Sequence, residues 1–360
     1  MQQLQTNKRD FGAIRITDSA PITLDDGDIR VTVNNFAFTA NNITYAVAGE
    51  MIRYWEFFPA NANPENQWGI IPVWGFATVA ESNHAEFTEG EKLFGYFPPA
   101  HELKLTPSKV SSASFFDASE HRAELPPGYN VYRRTAGEAN YDPSFDQERM
   151  LLFPLYLTAF CLHDMLQDNQ WFGAEQVIIG SASSKTSIGL AYAIEEDDAA
   201  PSLVGLTSSR NKESVEKLGI YDSVVTYDDI PSINAGSPAV IVDMSANADM
   251  LSKLHTHLGD NMKFCSNVGM THWADAGAQP GIIQERSKMF FAPGHIQKRM
   301  QQWGPEQFDQ ASTEFVVRTV MKSRAWLTMK QLDGLTGLSN VYDDVLHGRV
   351  SPEVGLIINL

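Results

Sequence analysis

The chain has 360 residues, more than one typical hydrophobic core organises, so two domains are expected. Its hydrophobic content of 43% supports sizeable cores, and a formal net charge of −17 argues against nucleic-acid backbones and anionic membranes as partners. Two cysteines, Cys161 and Cys265, exclude a disulfide framework or a four-cysteine zinc lobe and fit a reducing cytoplasm; the opening MQQLQTNKRDF has no apolar signal-peptide core.

Residues 14–38 carry alternating and β-branched runs, and Ile29-Arg30-Val31-Thr32-Val33 follows an Asp-Asp-Gly-Asp turn, which predicts two strands about that turn. Residues 39–49 read as a polar loop or a short helix ending in glycine. A second β region covers 75–82 and 87–97, turning at Glu89-Gly90-Glu91, and the many short β runs point to a small irregular barrel. Residues 98–149, rich in Pro, Ser and charge, are expected to form a long functional loop region or an insertion packed on the barrel, with one strand-like run at Glu102–Leu105. A core helix is predicted over 150–167 despite Pro154, its most apolar part (150–161) being too short to span a bilayer.

From Glu175 the chain alternates between strand and helix in the manner of a doubly wound parallel sheet. Strands are predicted at 177–179, 203–206, Ser223–Thr226, Ala239–Asp243, 263–268 and Phe290-Phe291. Helices are expected through 214–218 and 250–258 and over a long stretch from 296 to 330, and 348–360 read as a turn and a terminal strand.

The most informative stretch is EQVIIGSASSKTSIGLAYAIEEDD, residues 175–198. An apolar strand ends at Gly180, a small polar loop follows, and from Ile188 the apolar residues return at helical spacing. A strand, a tight loop and a helix start make an anion site, because unpaired backbone N–H groups and the helix dipole point at one place. A phosphate-binding P-loop is the rival reading, since Lys185-Thr186 resembles its ending, but Ser184 stands where a glycine is needed and Gly180 lies one residue too near the lysine. It is not a nucleophile elbow, for Gly180-Ser181-Ala182-Ser183-Ser184 lacks the closing glycine. A hydrophilic turn with no ligand remains the plain alternative.

The order of these parts resembles the medium-chain dehydrogenase/reductase superfamily, in its zinc-free, quinone-reductase-like branch, over most of the chain. Residues 23–49 resemble that family's opening strand pair and substrate-side loop. Residues 75–95 resemble its succession of glycine, apolar strand, acidic-Gly-acidic turn and second strand closing on glycine. Residues 177–194 lie at its dinucleotide fold, and 348–360 are similar to the last strand that returns to the barrel. The wording GSASSKTSIGLA resembles a branch known only as a domain of unknown function.

The resemblance implies an α/β plus β architecture: a GroES-like irregular β-barrel domain from residues 1–149 and 315–360, and a Rossmann domain with a doubly wound parallel sheet over 150–314. It implies a cytoplasmic NADP(H)-dependent oxidoreductase that reduces an enone, quinone or similar carbonyl compound by direct hydride transfer without metal. A small-molecule substrate is expected, with no nucleic-acid or membrane partner. A homodimer through the Rossmann sheet edge is also implied. The family's glycine-rich loop is here replaced by serines, a lysine and a threonine, whose Cβ atoms keep a pyrophosphate further from the backbone. That departure keeps open another reading, a non-catalytic NADP-binding sensor or interaction protein on the same fold.

For cofactor binding the expected residues are Ser181, Ser183, Ser184, Lys185 and Thr186 in the loop. Gly189 stands where a glycine lets helix and strand pack closely. After the second strand come Thr207, Ser208, Ser209 and Arg210, where an acidic residue would select NAD; hydroxyls and an arginine suit a 2′-phosphate, so NADP is preferred. Lys185 reads as a contact to the pyrophosphate, to the 2′-phosphate, or as a surface lysine; Lys212 is a possible second cation. Tyr45 aligns with a cleft tyrosine of quinone-reductase-like members, able to protonate a carbonyl oxygen as hydride arrives, or else an aromatic packed at the barrel base. Asn42 is its weaker neighbour, and Tyr96, beside Gly95, reads either as a second cleft residue or, being in an apolar strand, more readily as core. No three of Cys161, His163, His255, His257, Cys265 and His272 stand at catalytic-zinc spacing, and no metal is expected.

Overall fold

The computed structural model describes residues 2–18, 21–139, 141–268 and 280–360. The chain divides into two compact units, Met1–Leu151 with Leu327–Leu360, and Leu152–Trp326.

The first unit is built on a nine-stranded sheet whose spine is the strand Ile29–Phe38, paired antiparallel with Val73–Ser82 and with Val354–Asn359. Ile29, Val31 and Val33 alternate inward, as period-two patterning requires. A register shift between Val33 and Asn35 then changes the phase, so that Phe36 and Phe38 are buried instead. Gly75 is required where the two strands approach, because a Cβ there would lie 2.4 Å from the Asn35 carbonyl oxygen. The expected turn at Glu89-Gly90-Glu91 is present, with Gly90 at φ +88°. Residues 98–149 are neither a loop nor an insertion: Glu102–Leu105, Pro107–Ser108, Ser114–Asp117 and Val131–Arg134 are strands of the same sheet. Glu102–Leu105 is a strand as expected, whereas Pro and Ser concealed the other three, each run being only two to four residues long. The opening strand Gln2–Asn7 belongs to a separate three-stranded sheet with Ile14–Asp18 and Trp68–Gly69.

A helix over Asp146–Asp168 carries the chain onward, with Pro154 inside it. It is longer than its apolar heart suggested: the stretch Pro143–Asp168 is long and apolar enough by length and composition to cross a membrane, though Leu152, Tyr156, Ala159, Leu162 and Leu166 are buried.

The second unit is a six-stranded, all-parallel sheet. Across the sheet its order is Ser223–Thr226, Ser202–Thr207, Gln176–Gly180, Ala239–Asp243, Met262–Asn267 and Ser287–Met289. Both faces are covered, so the central strands read as unbroken apolar runs rather than alternating ones.

Three expectations are corrected here. The last strand of this sheet is Ser287–Met289, not Phe290-Phe291; Phe291 instead precedes a helix at Ala292–Trp303. The long helix expected over 296–330 is two helices, Ala292–Trp303 and Pro305–Ser323, because Gly304 at φ +89° and Pro305 break it. Its last part is a strand, Thr328–Asp333, which pairs parallel with Val354–Asn359 across a helix at Gly334–Leu346. That strand is mostly solvated, and its sequence TMKQLD offers little apolar signal.

Candidate functional site

In the parallel sheet, Gln176–Gly180 lies between Ser202–Thr207 on one side and Ala239–Asp243 on the other. The chain winds outward to one edge through the second and third strands, then returns to the other side. The carboxyl end of Gln176–Gly180 is therefore the topological switch point, where the loops diverge and leave a crevice.

The loop at that end is held by named contacts. Gly180 carries no side chain because a Cβ there would lie 2.6 Å from Asp243 Oδ1 on the neighbouring strand. Ser181 follows at φ +57°, the left-handed region that a glycine adopts freely and a serine at a cost of order 1 kcal/mol. Ala182 N–H donates to the Leu206 carbonyl (3.0 Å), its own carbonyl accepts from the Tyr221 hydroxyl (2.9 Å), and Tyr227 bonds to Ser181. Ser183 is buried, and its hydroxyl is 3.0 Å from Asn211 Nδ2 across the second strand's loop. Ser184 is the N-cap of the helix Lys185–Glu195, its Oγ accepting from Ser187 N–H (3.2 Å). Such a cap is worth about 1 kcal/mol and fixes the helix start at Lys185.

Lys185 therefore occupies the first helical position and Thr186 the second, both half-buried, on the positive end of the helix dipole. Burial lowers the Lys185 ammonium to about 8. Gly189 is required further along, but its close approach is to another helix rather than to a strand: a Cβ would lie 2.6 Å from the Tyr156 ring and 3.1 Å from Ala159.

At the end of the second strand Thr207 is 1% exposed, and its Oγ1 has no hydrogen-bond partner among the described residues. Ser208 is half-buried; Ser209 and Arg210 are exposed in the turn Ser209–Asn211. Ser209 Oγ reaches Asp228 Oδ2 at 3.5 Å, and Lys212 lies 3.8 Å from Glu216. Thr207, the turn residues and the Ser181–Thr186 loop thus belong to adjacent strand ends, tied directly by the Ser183–Asn211 bond.

Three participants were not anticipated from the sequence. Tyr221 and Tyr227 brace the loop, as above. Asp243 ends the most strand-like run of the chain and is fully buried; burial pushes its carboxyl up, against bonds from Ser245 and from the Ala246 N–H. An acid at the end of an apolar strand was the available signal.

In the first unit, Tyr45 and Asn42 lie on the helix Ala40–Val47. Thr39 and Asn42 form its capping box: the Asn42 Oδ1 accepts from Thr39 N–H (2.8 Å), while its Nδ2 donates to the Pro72 carbonyl (2.9 Å). The Asn42 amide is thereby committed on both sides. Tyr45 is 6% exposed, and burial pushes its phenol up, offset in part by bonds from the Trp74 and Asn41 side chains. Its ring centroid lies 4.6 Å from that of Tyr54 and 5.8 Å from that of Tyr96.

Among the described residues no three His, Cys, Asp or Glu side chains gather as a metal-holding group, and His272 lies outside those residues. His163 faces Asp197 (3.2 Å), His257 donates to the Ile233 carbonyl (2.8 Å), and the thiols of Cys161 and Cys265 are buried and pushed up by burial.

The whole chain superposes on solved structures. It matches CurA of Vibrio vulnificus in complex with NADPH at a TM-score of 0.65, with 12% identity over 100% of this chain and 99% of that one. A mutant enoyl thioester reductase from Candida tropicalis matches at 0.57 with 10% identity, covering 100% and 99%. The yhdH oxidoreductase of Salmonella enterica in complex with NADP matches at 0.54 with 13% identity, covering all of both chains. The fold is thus a GroES-like barrel domain with a Rossmann domain, shared with these structures. No curated protein matches the sequence. A family model described as protein of unknown function (DUF2855) matches residues 36–351, and the chain belongs to that family.

Proposed function

We propose that the protein is an NADPH-dependent reductase of an enone, quinone or similar carbonyl compound, acting without metal. In this reading the unit Leu152–Trp326 is the dinucleotide domain and the unit Met1–Leu151 with Leu327–Leu360 supplies the substrate side. The observation that carries it is the switch point, where a capped helix start bearing Lys185 stands beside a strand ending in Thr207, whose buried hydroxyl has no partner among the described residues. These residues fit the nucleotide. Lys185, Thr186 and the first-turn N–H groups suit a pyrophosphate. Ser208, Ser209 and Arg210 suit a 2′-phosphate through charge-assisted bonds, where an acidic residue would repel it. Because Ser181, Ser183 and Ser184 are engaged in holding the loop, their part is to shape it, and the ligand falls to Lys185 and Thr186.

The bound nicotinamide supplies hydride. The protein's task is to orient it, exclude water and hold a proton donor at the substrate oxygen. Tyr45 is neutral near pH 7, since its phenol is raised, so it retains a proton to give. The test is NADPH oxidation followed at 340 nm with a panel of enones and quinones. Turnover that falls in Tyr45→Phe while NADPH affinity holds supports the reading. NADPH binding with no turnover on any of them refutes catalysis and leaves a nucleotide-binding protein.

A further inference from the structure

The helix Ala292–Trp303 buries almost nothing. Its sequence is APGHIQKRMQQW, and of these residues only Arg299 is buried. Ile296 and Trp303 are half-buried, and Met300 is 38% exposed. The helix that follows it, Pro305–Ser323, buries Phe308, Phe315, Val316 and Val320 by contrast. Packing of an apolar face is what ordinarily holds a helix in a domain, and little of it is available here.

Charge takes its place. Asp164, on the helix Asp146–Asp168, accepts twice on one oxygen: its Oδ2 lies 2.5 Å from His295 Nε2 and 2.6 Å from Arg299 Nε. One turn further, Asp168 accepts from Lys298 Nζ at 2.8 Å and faces Arg299 Nη2 at 3.0 Å. His295, Lys298 and Arg299 share one helix face, as Asp164 and Asp168 share another, so a basic stripe meets an acidic one. The inner group is shielded, with side chains 13% exposed at Asp164, 8% at His295 and 7% at Arg299. Asp168 and Lys298 form an outer pair open to solvent. Burial works to raise the Asp164 carboxyl, yet the bonds from His295 and Arg299 hold it below its ordinary value, so it is charged at neutral pH.

The ends of the helix are built to move. Gly304 at φ +89° and Pro305 separate it from the next helix. At its start it follows the strand Ser287–Met289, three residues long and paired on one side only. Elements with few buried apolar contacts open at free energies below that of global unfolding. Neutralising one member of a shielded ion group leaves its partners buried without a counter-charge, and release of the helix into water relieves them.

We propose that the helix Ala292–Trp303 is a strap that swings away from the helix Asp146–Asp168 while the parallel sheet stays folded, with Asp164 as its latch. Salt loosens the strap through the outer pair, so the open fraction follows ionic strength. None of this depends on the reductase reading.

The test is native-state hydrogen exchange on the full chain, comparing amides of residues 292–303 with those of the central strand Ala239–Asp243 in increasing urea. Exchange through a local opening exposes little surface and so responds little to urea, whereas exchange through global unfolding follows the full urea dependence. In wild type the strap should exchange at least about 100-fold faster than the strand and show almost no urea dependence. Raising NaCl from ~0.05 to ~0.5 M should speed it by about two- to fivefold. Asp164→Asn, which keeps the shape and removes the charge, should speed it by at least about tenfold, still without urea dependence. Ile296→Ala, which removes apolar contact from the same helix, should speed it by less than about threefold, since little packing is there to lose. Strap amides that exchange as slowly as the strand, with the same urea dependence, would show that the helix opens only when the whole unit unfolds and would overturn the proposal. An Asp164→Asn strap no faster than wild type, or an Ile296→Ala strap as fast as Asp164→Asn, would overturn the latch. Exchange indifferent to salt would overturn the response to ionic strength. The urea and salt arms use wild-type protein alone, so the strap is tested even if the Asn variant folds poorly.

Discussion

Replacing Lys185 with methionine should make the protein more stable and a poorer nucleotide binder at once. The lysine sits at the first position of a helix, half-buried on the positive end of the dipole, and burial takes its ammonium from the ordinary 10.5 to about 8. At about 1.4 kcal/mol per unit, holding it charged costs the fold on the order of 3 kcal/mol. The folded-state value is depressed for a basic group, so the cost is fully present below pH 8, where both folded and unfolded chains are charged. Between pH 8 and 10.5 the unfolded chain binds more protons than the folded one, and stability rises with pH until the cost has gone. Lys185→Met keeps the length of the stem without the charge. In urea unfolding followed by fluorescence, the variant should exceed wild type by roughly 2–3 kcal/mol at pH 7. The gap should close as pH climbs from 8 to 10, and the wild-type-minus-variant difference cancels the titration of the tyrosines. Its affinity for NADPH should fall at pH 7, and the wild-type affinity should fall above pH 8. A stability gap that is constant with pH, or of opposite sign, would refute the claim that a buried cation is held here for a ligand.

Gly180→Ala should cost about 1–3 kcal/mol, because its Cβ meets the buried Asp243 carboxylate at 2.6 Å, and should weaken NADPH by displacing the loop; a neutral melt would contradict the contact. Asn42→Ala should lower stability by about 1–2 kcal/mol through loss of the capping box and the Pro72 bond, with NADPH affinity unchanged. Arg210→Ala should weaken NADPH by about tenfold or more while sparing NADH, as loss of a charge-assisted bond to a 2′-phosphate requires; equal losses would remove its assigned role.

The second unit was legible because buried parallel strands and their helices carry strong, local signals. Ala239–Asp243 is apolar and β-branched, and the helix Lys212–Leu218 ends at Gly219, φ +66°. The first unit was harder. Its strands between 98 and 149 are short, and their partners lie far along the chain, as where Val131–Arg134 pairs with Lys92–Phe97. The strand Thr328–Asp333 was hidden for the opposite reason, being mostly solvated on a sheet edge.

Of the candidate site, the succession of strand, loop and helix could be read, but not that the helix starts at Lys185: Lys185, Thr186 and Ser187 read as loop, because the apolar spacing returns only at Ile188. What could not be read is which hydroxyls the fold itself consumes. Ser183 bonds Asn211, 28 residues away, and Asn42 bonds Pro72, 30 away. Such pairings have no local signature.

The most direct measurement is calorimetric titration of the purified protein with NADPH and with NADH at pH 7. The account predicts one nucleotide per chain, with NADPH at least about tenfold tighter than NADH through the 2′-phosphate bonds of the Ser208–Arg210 turn. Absence of binding to both nucleotides would contradict it, for the loop at the switch point would then be a braced turn and the reductase reading would fall.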